Sequence, residues 1–457
     1  MLSPTFCFLF FLSFTNFNSA FSKNPEVASI EFTSVPAYET TSPLLGRVFN
    51  VIPADYKIVV YLLLEGSGWW VKPTANSPLT VIQSNSTFSC NVNSGSNDKY
   101  ATCFAAFLLP NGVSPPILLG SPEIPDYMFT NYVHIYSLRY RRTINFASRN
   151  WWVKNTILSA GPGPNFFSDD TRNVWVENNR LHLKISKRND IWYCPEIICN
   201  DTLNYGKYVF KISSPVGNMD RNIVLGLFTW DMSPVESHRE IDIEFSKWSM
   251  NQSINSQYVV QPFNSPGHLH SWIFPVSVIN SSHIFEWKHN SVNFSSVSGF
   301  NSSPPYDTVY QSWTFSGSSV PNHNRENVRI NLWLFQGNAP SNSQEAEVIV
   351  YDFSFASNSI GINTISTVRP NGYSLYQNYP NPFNPKTNIK FDIPKYSIVK
   401  LMIYNSLGKE VAMLVNQELD AGSYQADWDA SGFPSGVYYY QLKAEDFNET
   451  KNMFFLK

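Results

Sequence analysis

Three carboxylates stand close together in the run His238-Arg239-Glu240-Ile241-Asp242-Ile243-Glu244-Phe245. Read as an extended strand, the run sends successive side chains to opposite faces. Arg239, Ile241, Ile243 and Phe245 share one side, where the three apolar members suit a core. Glu240, Asp242 and Glu244 share the other side. Like charges so placed repel one another and raise at least one pKa, which fold stability alone does not call for. Hydrolysis of a glycosidic bond does call for it. That reaction uses one ionised carboxylate as nucleophile and one protonated carboxyl as acid, about 5–5.5 Å apart for retention. A flat strand separates residues i and i+4 by roughly 13 Å at Cα, so Glu240 and Glu244 must lean toward a sugar held between them. Asp242 between them can hydrogen-bond the nucleophile and help hold the two proton affinities apart. The competing reading is a solvated acidic face on an exposed strand. Trp230, which ends LGLFTW, and Trp248, at matching parity beyond the acids, weigh against it, because a pyranose stacks its apolar face on such rings.

The elements that must position these groups read as strands. KIVVYLLLEG, RLHLKIS, YGKYVFKIS, VRINLWLFQ, EVIVYDFSF and VYYYQLKAE alternate apolar and polar residues between Gly, Pro, Asn and Ser clusters, the pattern of β-sandwiches and barrels. Within 457 residues, 43% are apolar, 16% aromatic and only 15% charged, a composition that forms cores rather than disordered coil. A net charge of −3 gives no pull toward nucleic acid. Thirty prolines and 21 glycines leave no room for a long coiled coil. Residues 1–22 have the apolar stretch of a signal peptide. No later segment is apolar for the 18 residues that a membrane-spanning helix needs.

Four cysteines remain beyond Cys7. Cys90 and Cys103 flank a turn-rich stretch, and Cys194 and Cys199 close CPEIIC. In an exported chain, two local disulfides are expected. His268, His270, His283, His289 and His323 have no metal-ligand spacing, so neither a catalytic metal nor another cofactor is expected. In VRINLWLFQ, Arg329, Asn331, Trp333 and Phe335 alternate with an apolar set and form a candidate sugar-facing row. Gln257, Gln261 and the pair Trp192-Tyr193 are weaker candidates.

The run from Tyr205 to Trp248 resembles the core of glycoside hydrolase family 16, which carries an E-[ILV]-D-x-E strand after a YGxYExR-like strand. Here Val209 and Lys211 stand at the usual acidic and arginine positions. The resemblance extends over about residues 140–356. It implies a β-jelly-roll of two curved antiparallel sheets, with Glu240 as nucleophile, Asp242 as its electrostatic helper, Glu244 as acid/base, and net retention. Trp287 matches a tryptophan of an inner strand in that family. The acidic strand lacks the extra residue of the bulged subfamilies, and this leans toward mixed-linkage β-glucan or xyloglucan over laminarin or algal galactans. The expected activity is an endo-acting β-glucanase with polysaccharide as its partner. A non-catalytic glycan binder and a transglycosylase are the alternatives.

Residues 373–457 open with YSLYQNYPNPFNP and continue through Gly-x-Tyr and S-G-x-Y strands. They resemble the C-terminal sorting domain of bacterial type IX secretion substrates, a small Ig-like sandwich. This implies the type IX machinery as a partner and a route through the periplasm and outer membrane to the cell surface or beyond. The expected organisation is an all-β chain: signal peptide 1–22, an Ig-like module 23–125, the jelly roll 127–356, a linker 357–372 and the sorting domain 373–457. A monomer is expected. For the first module, with its paired Trp69-Trp70, a spacer and a carbohydrate-binding role both remain open.

Overall fold

The computed structural model describes residues 28–288, 290–357, 362–366, 369–419, 421–430 and 433–457. The expected signal peptide lies outside these residues. The chain is all-β, and each of its three units is a sandwich of two sheets. Among the described residues, no helix is long and apolar enough to cross a membrane.

The first module packs a three-stranded sheet on a six-stranded one. The larger sheet holds β1 (Tyr56–Leu64), β2 (Gly68–Lys72), β3 (Cys103–Pro110) and β4 (His134–Leu138). Alternation along β1 and β3 sends side chains into two separate cores. Ile58, Val60, Phe104 and Ala106 enter the core under the small sheet, and Val59, Tyr61, Ala105 and Phe107 enter the other. Strand β4 pairs with β3, so this sheet runs past residue 125 into sequence expected for the next module.

The central unit is a sandwich of an eight-stranded and a nine-stranded sheet. The eight-stranded sheet contains β5 (Arg142–Phe146), β6 (Arg149–Val153), β7 (Glu196–Thr202), β8 (Ile223–Trp230), β9 (Ile241–Phe245), β10 (Ser256–Val260), β11 (Leu269–Trp272) and β12 (Asn327–Leu334). Its spatial order is β5-β6-β7-β12-β8-β9-β10-β11, every pair antiparallel. One face of this sheet packs through Ile197, Leu225, Leu227, Ile241, Ile243, Phe245, Ile330 and Leu332 onto the second sheet. The side chains alternating with them form the opposite face. Trp287 is fully buried in the inter-sheet core, a packing position.

The third unit is a four-on-four sandwich with its own core around Ile389, Trp428 and Tyr440. Residues Ile362–Ser366, expected in the linker, form a strand that pairs with Gly422–Asp429 of this unit.

The expected disulfides are absent: Cys90, Cys103, Cys194 and Cys199 are all free and buried. Topology explains the difference. Cys90 ends a strand that pairs with Leu44–Phe49, whereas Cys103 pairs with Leu63, so the two are not hairpin partners. Their side chains enter the two cores on opposite sides of the larger sheet. Cys194 ends a strand of the nine-stranded sheet and Cys199 lies in β7 of the facing sheet, so CPEIIC is a crossover between sheets. Burial pushes the Cys194 thiol up to about 12 and the Cys199 thiol up to about 11.

Candidate active site

Strand β9 places Ile241, Ile243 and Phe245 in the core, each fully buried, and turns Asp242 and Glu244 to the other face. Glu240 precedes the strand and lines the same cleft as these two acids. The entry to β9 is unusual. Glu236, Ser237, His238 and Arg239 have φ of 55°, 51°, 61° and 52°, a left-handed run that costs roughly 1–2 kcal/mol per residue. Ion pairs and hydrogen bonds hold it. Arg239 Nη1 lies 3.0 Å from Asp231 Oδ2, Arg239 Nε donates to Asn322 O at 2.8 Å, and Glu236 Oε2 accepts from Asn322 N at 2.9 Å. Arg239 therefore does not join Ile241 on the strand's core face. It anchors the turn that delivers Glu240.

The acids stand on the floor of a cleft of about 650 Å³. Gln257, opposite Glu244 in register, donates from Nε2 to Glu244 Oε2 at 2.6 Å. Gln261 donates to Asp242 Oδ2 at 3.1 Å. Burial, then the charge of Glu244, pushes Glu240 up to about 8, and a hydrogen bond from Asp242 partly offsets this. Burial and both neighbouring carboxylates hold Asp242 well above the usual carboxylate range. Burial also raises Glu244, against the hydrogen bond from Gln257. A proton held on Asp242 makes it a hydrogen-bond donor to the Glu240 carboxylate, which favours the ionised form of Glu240.

Strand β12, on the far side of β8 from β9, supplies a further row. Arg329, Asn331 and Trp333 line the cleft, Phe335 does not, and Arg329 lowers the Glu240 pKa by its charge. Trp230 lines the cleft, stacked on His238 with ring centroids 4.0 Å apart. Trp248 does not line it: β9 ends at Phe245, and Trp248, at φ 48°, lies in the turn beyond, where strand parity no longer holds. Trp192 and Tyr193 belong to the nine-stranded sheet, away from the cleft.

Several cleft residues were not singled out from sequence. Glu196 on β7 is buried and accepts from Lys154 Nζ at 3.4 Å, Arg329 Nη1 at 3.2 Å and Asn331 Nδ2 at 3.3 Å. Arg329 Nε and Asn331 Oδ1 are buried beside the acids without a hydrogen-bond partner. They offer one donor and one acceptor to a ligand, since an unpaired buried polar atom is costly. Glu196 was hidden because CPEIIC reads as a disulfide loop. Among the described residues no cluster of three or more His, Cys, Asp or Glu could hold a metal ion.

Gly226 faces Glu244 on one side and Asn331 on the other. A Cβ there would lie 2.5 Å from Asn331 Oδ1, so the absent side chain leaves the Asn331 amide in place. Gly226→Ala is expected to push that amide aside and lower kcat/KM about tenfold, for a cost of roughly 1–3 kcal/mol. Steady-state kinetics and a melting curve check this, and unchanged kinetics would remove Asn331 from the site.

Residues 377–455 match the family model of the secretion system C-terminal sorting domain. The chain is addressed to the cell surface or the extracellular space. Among curated proteins none is significantly similar in sequence. Solved structures with a similar arrangement include the Bacillus licheniformis beta-glucanase, 15% identical with a TM-score of 0.35, covering 48% of this chain and 100% of its own. A beta-1,3-1,4-glucanase (lichenase) from a mouse hindgut metagenome is 17% identical at a TM-score of 0.34, covering 47% and 95%. An immunostimulatory antigen and pseudo beta-1,3-glucanase of Mycobacterium tuberculosis is 15% identical at 0.35, covering 46% and 91%. None of the three assigns an activity to this chain.

Proposed function

We propose that the chain is an exported retaining β-glycosidase acting on a neutral β-glucan-type polysaccharide. The observation that carries this reading is the trio Asp242 and Glu244 on β9 and Glu240 at its entry, together at the floor of a cleft large enough for sugar rings. Glu244 protonates the glycosidic oxygen as Glu240 attacks the anomeric carbon, so the C–O bond breaks and a glycosyl ester forms on Glu240. Glu244, now ionised, takes a proton from water. That water opens the ester and releases a sugar with its original anomeric configuration. The cleft lining includes Glu65, Glu123, Glu196 and the three acids against only Lys154 and Arg329 as full cations. This balance disfavours sulfated or uronate glycans and suits a neutral one; mixed-linkage glucan or xyloglucan is the proposed substrate. A pure glycan binder has no use for two glutamates with raised proton affinity.

The pair needs one proton between its two glutamates. Below the first ionisation both carry protons and no nucleophile exists. Above the last, no acid remains. The activity profile is therefore expected to be bell-shaped, its alkaline limb set by loss of the last proton that the coupled pair shares, which burial holds above the ordinary carboxylate range. Lichenan, laminarin, xyloglucan, agar and carrageenan are the test panel, scanned over pH with anomers followed by NMR. Lichenan or xyloglucan cleavage with a β-anomer formed first is expected. Cleavage of none, or a flat profile through strongly alkaline pH, refutes the reading. Oligosaccharides longer than the input, formed with an added acceptor, would make the chain a transglycosylase.

A further inference from the structure

The first module is neither tethered apart from the central unit nor free to bind a glycan independently. Its large sheet lies on the same face of the eight-stranded sheet as the acids. Along β6, Trp151 enters the inter-sheet core while Trp152 turns the other way. Along β7, Ile197 and Cys199 enter that core while Glu196 and Ile198 turn the other way. Ile198 is 0% exposed and belongs to the buried cluster that holds Tyr61, Phe107 and Tyr136 of the first module, and Trp152 packs against the same cluster. At Trp152 of β6 and Ile198 of β7 the floor is therefore covered, while Glu196 at the start of β7 still lines the cleft.

The β1–β2 turn forms the edge of this cover. Gly66, at φ 81°, lies so close to the central unit that a Cβ would sit 2.3 Å from Ser159 O. Glu65 Oε2 lies 3.9 Å from Lys154 Nζ. Two further contacts fix the module: Glu123 Oε1 lies 3.4 Å from His238 Nε2, and Tyr136 donates to Asp231 Oδ1 at 2.8 Å. Glu65, Ser67, Trp69 and Glu123 line the same cleft as the acids.

We infer that the first module is a wall of the substrate cleft, and that its β1–β2 turn limits the number of sugar rings bound on one side of the acids. This rests on the glycosidase reading above. The order β7-β12-β8-β9 puts three strand steps between the covered floor and the acids. At about 4.8 Å per step this is roughly 14 Å, the length of about three pyranose rings. A chain lying across the strands from the β10–β11 side meets the turn there. The cleft of the expected endo-acting enzyme is thereby closed at one end.

The test compares the full chain with Ser67→Tyr, which adds a ring at the turn, using barley mixed-linkage glucan and a hexasaccharide cut from it. The unmodified chain should release, from the first minutes, one dominant fragment of three rings or fewer, and Ser67→Tyr should shorten that fragment or raise KM for the hexasaccharide at least tenfold. Broad early fragment lengths from the unmodified chain, or identical products from a folded, active Ser67→Tyr variant, overturn the inference. If the unmodified chain cuts no glycan, the catalytic reading fails separately. The wall is then judged by quenching of tryptophan fluorescence by the hexasaccharide: binding weakened at least tenfold in Ser67→Tyr supports it, and equal or no binding overturns it.

Discussion

Glu240→Ala is expected to lower kcat on the glucan by at least about 10⁴-fold while leaving the fold intact, because the attacking group is lost and only binding and acid assistance remain. Melting should be unchanged or higher, since burial and the neighbouring Glu244 charge disfavour an ionised Glu240 in the folded chain. The result also decides which glutamate does what. Both carry raised proton affinities, so affinity alone does not separate nucleophile from acid. Azide does. With an activated aryl glycoside, azide in Glu240→Ala takes the place of the missing carboxylate and attacks from its side, giving an α-glycosyl azide. In Glu244→Ala the ester on Glu240 still forms, azide opens it from the opposite side, and a β-glycosyl azide results. Exchanged anomers would reverse the two roles. Activity of Glu240→Ala within tenfold of the unmodified chain would end the nucleophile assignment.

What the sequence discloses, and what it conceals, follows from the range of the interactions. The period-two alternation of Ile241, Ile243 and Phe245 is local, and it places the acids on one face as the strand reading expects. Alternation on β12 brings Arg329, Asn331 and Trp333 to the cleft for the same reason. Parity fails where the backbone leaves the strand. Arg239 sits in a left-handed turn and Trp248 lies past the end of β9, so neither follows the period. The cysteines fail for a longer-range reason. Which strand pairs with Thr87–Cys90 depends on Leu44–Phe49, some forty residues away in sequence, and spacing between cysteines carries no information about that. The contribution of the first module to the cleft is still less visible. Glu65 and Glu123 look like surface acids in sequence, and only the packing of Ile198 and Trp152 under a neighbouring module places them beside a substrate.

The polar floor that joins this wall to the acids carries the second large effect. Glu196 is 1% exposed and is the common acceptor of Lys154 and Arg329, themselves 3% and 6% exposed. Glu196→Ala leaves both cations buried with much of their compensation gone, and breaking a buried pair in this way costs about 3–5 kcal/mol. A fall of about 10 °C in the melting of the central unit is expected, read by calorimetry. Glu196→Gln, which keeps an acceptor oxygen for one of the two cations, should lose less. Because a structural defect alone could explain a lower Tm, the pH profile provides the separate readout. The Glu196 charge raises the Glu240 pKa and the Arg329 charge lowers it. Removing Glu196 should therefore move the alkaline limb to lower pH, and Arg329→Met should move it to higher pH. Opposite displacements from two variants that both weaken the same buried network would tie the floor to the ionisation of Glu240. A limb that stays in place in both would confine Glu196 and Arg329 to holding the cleft together.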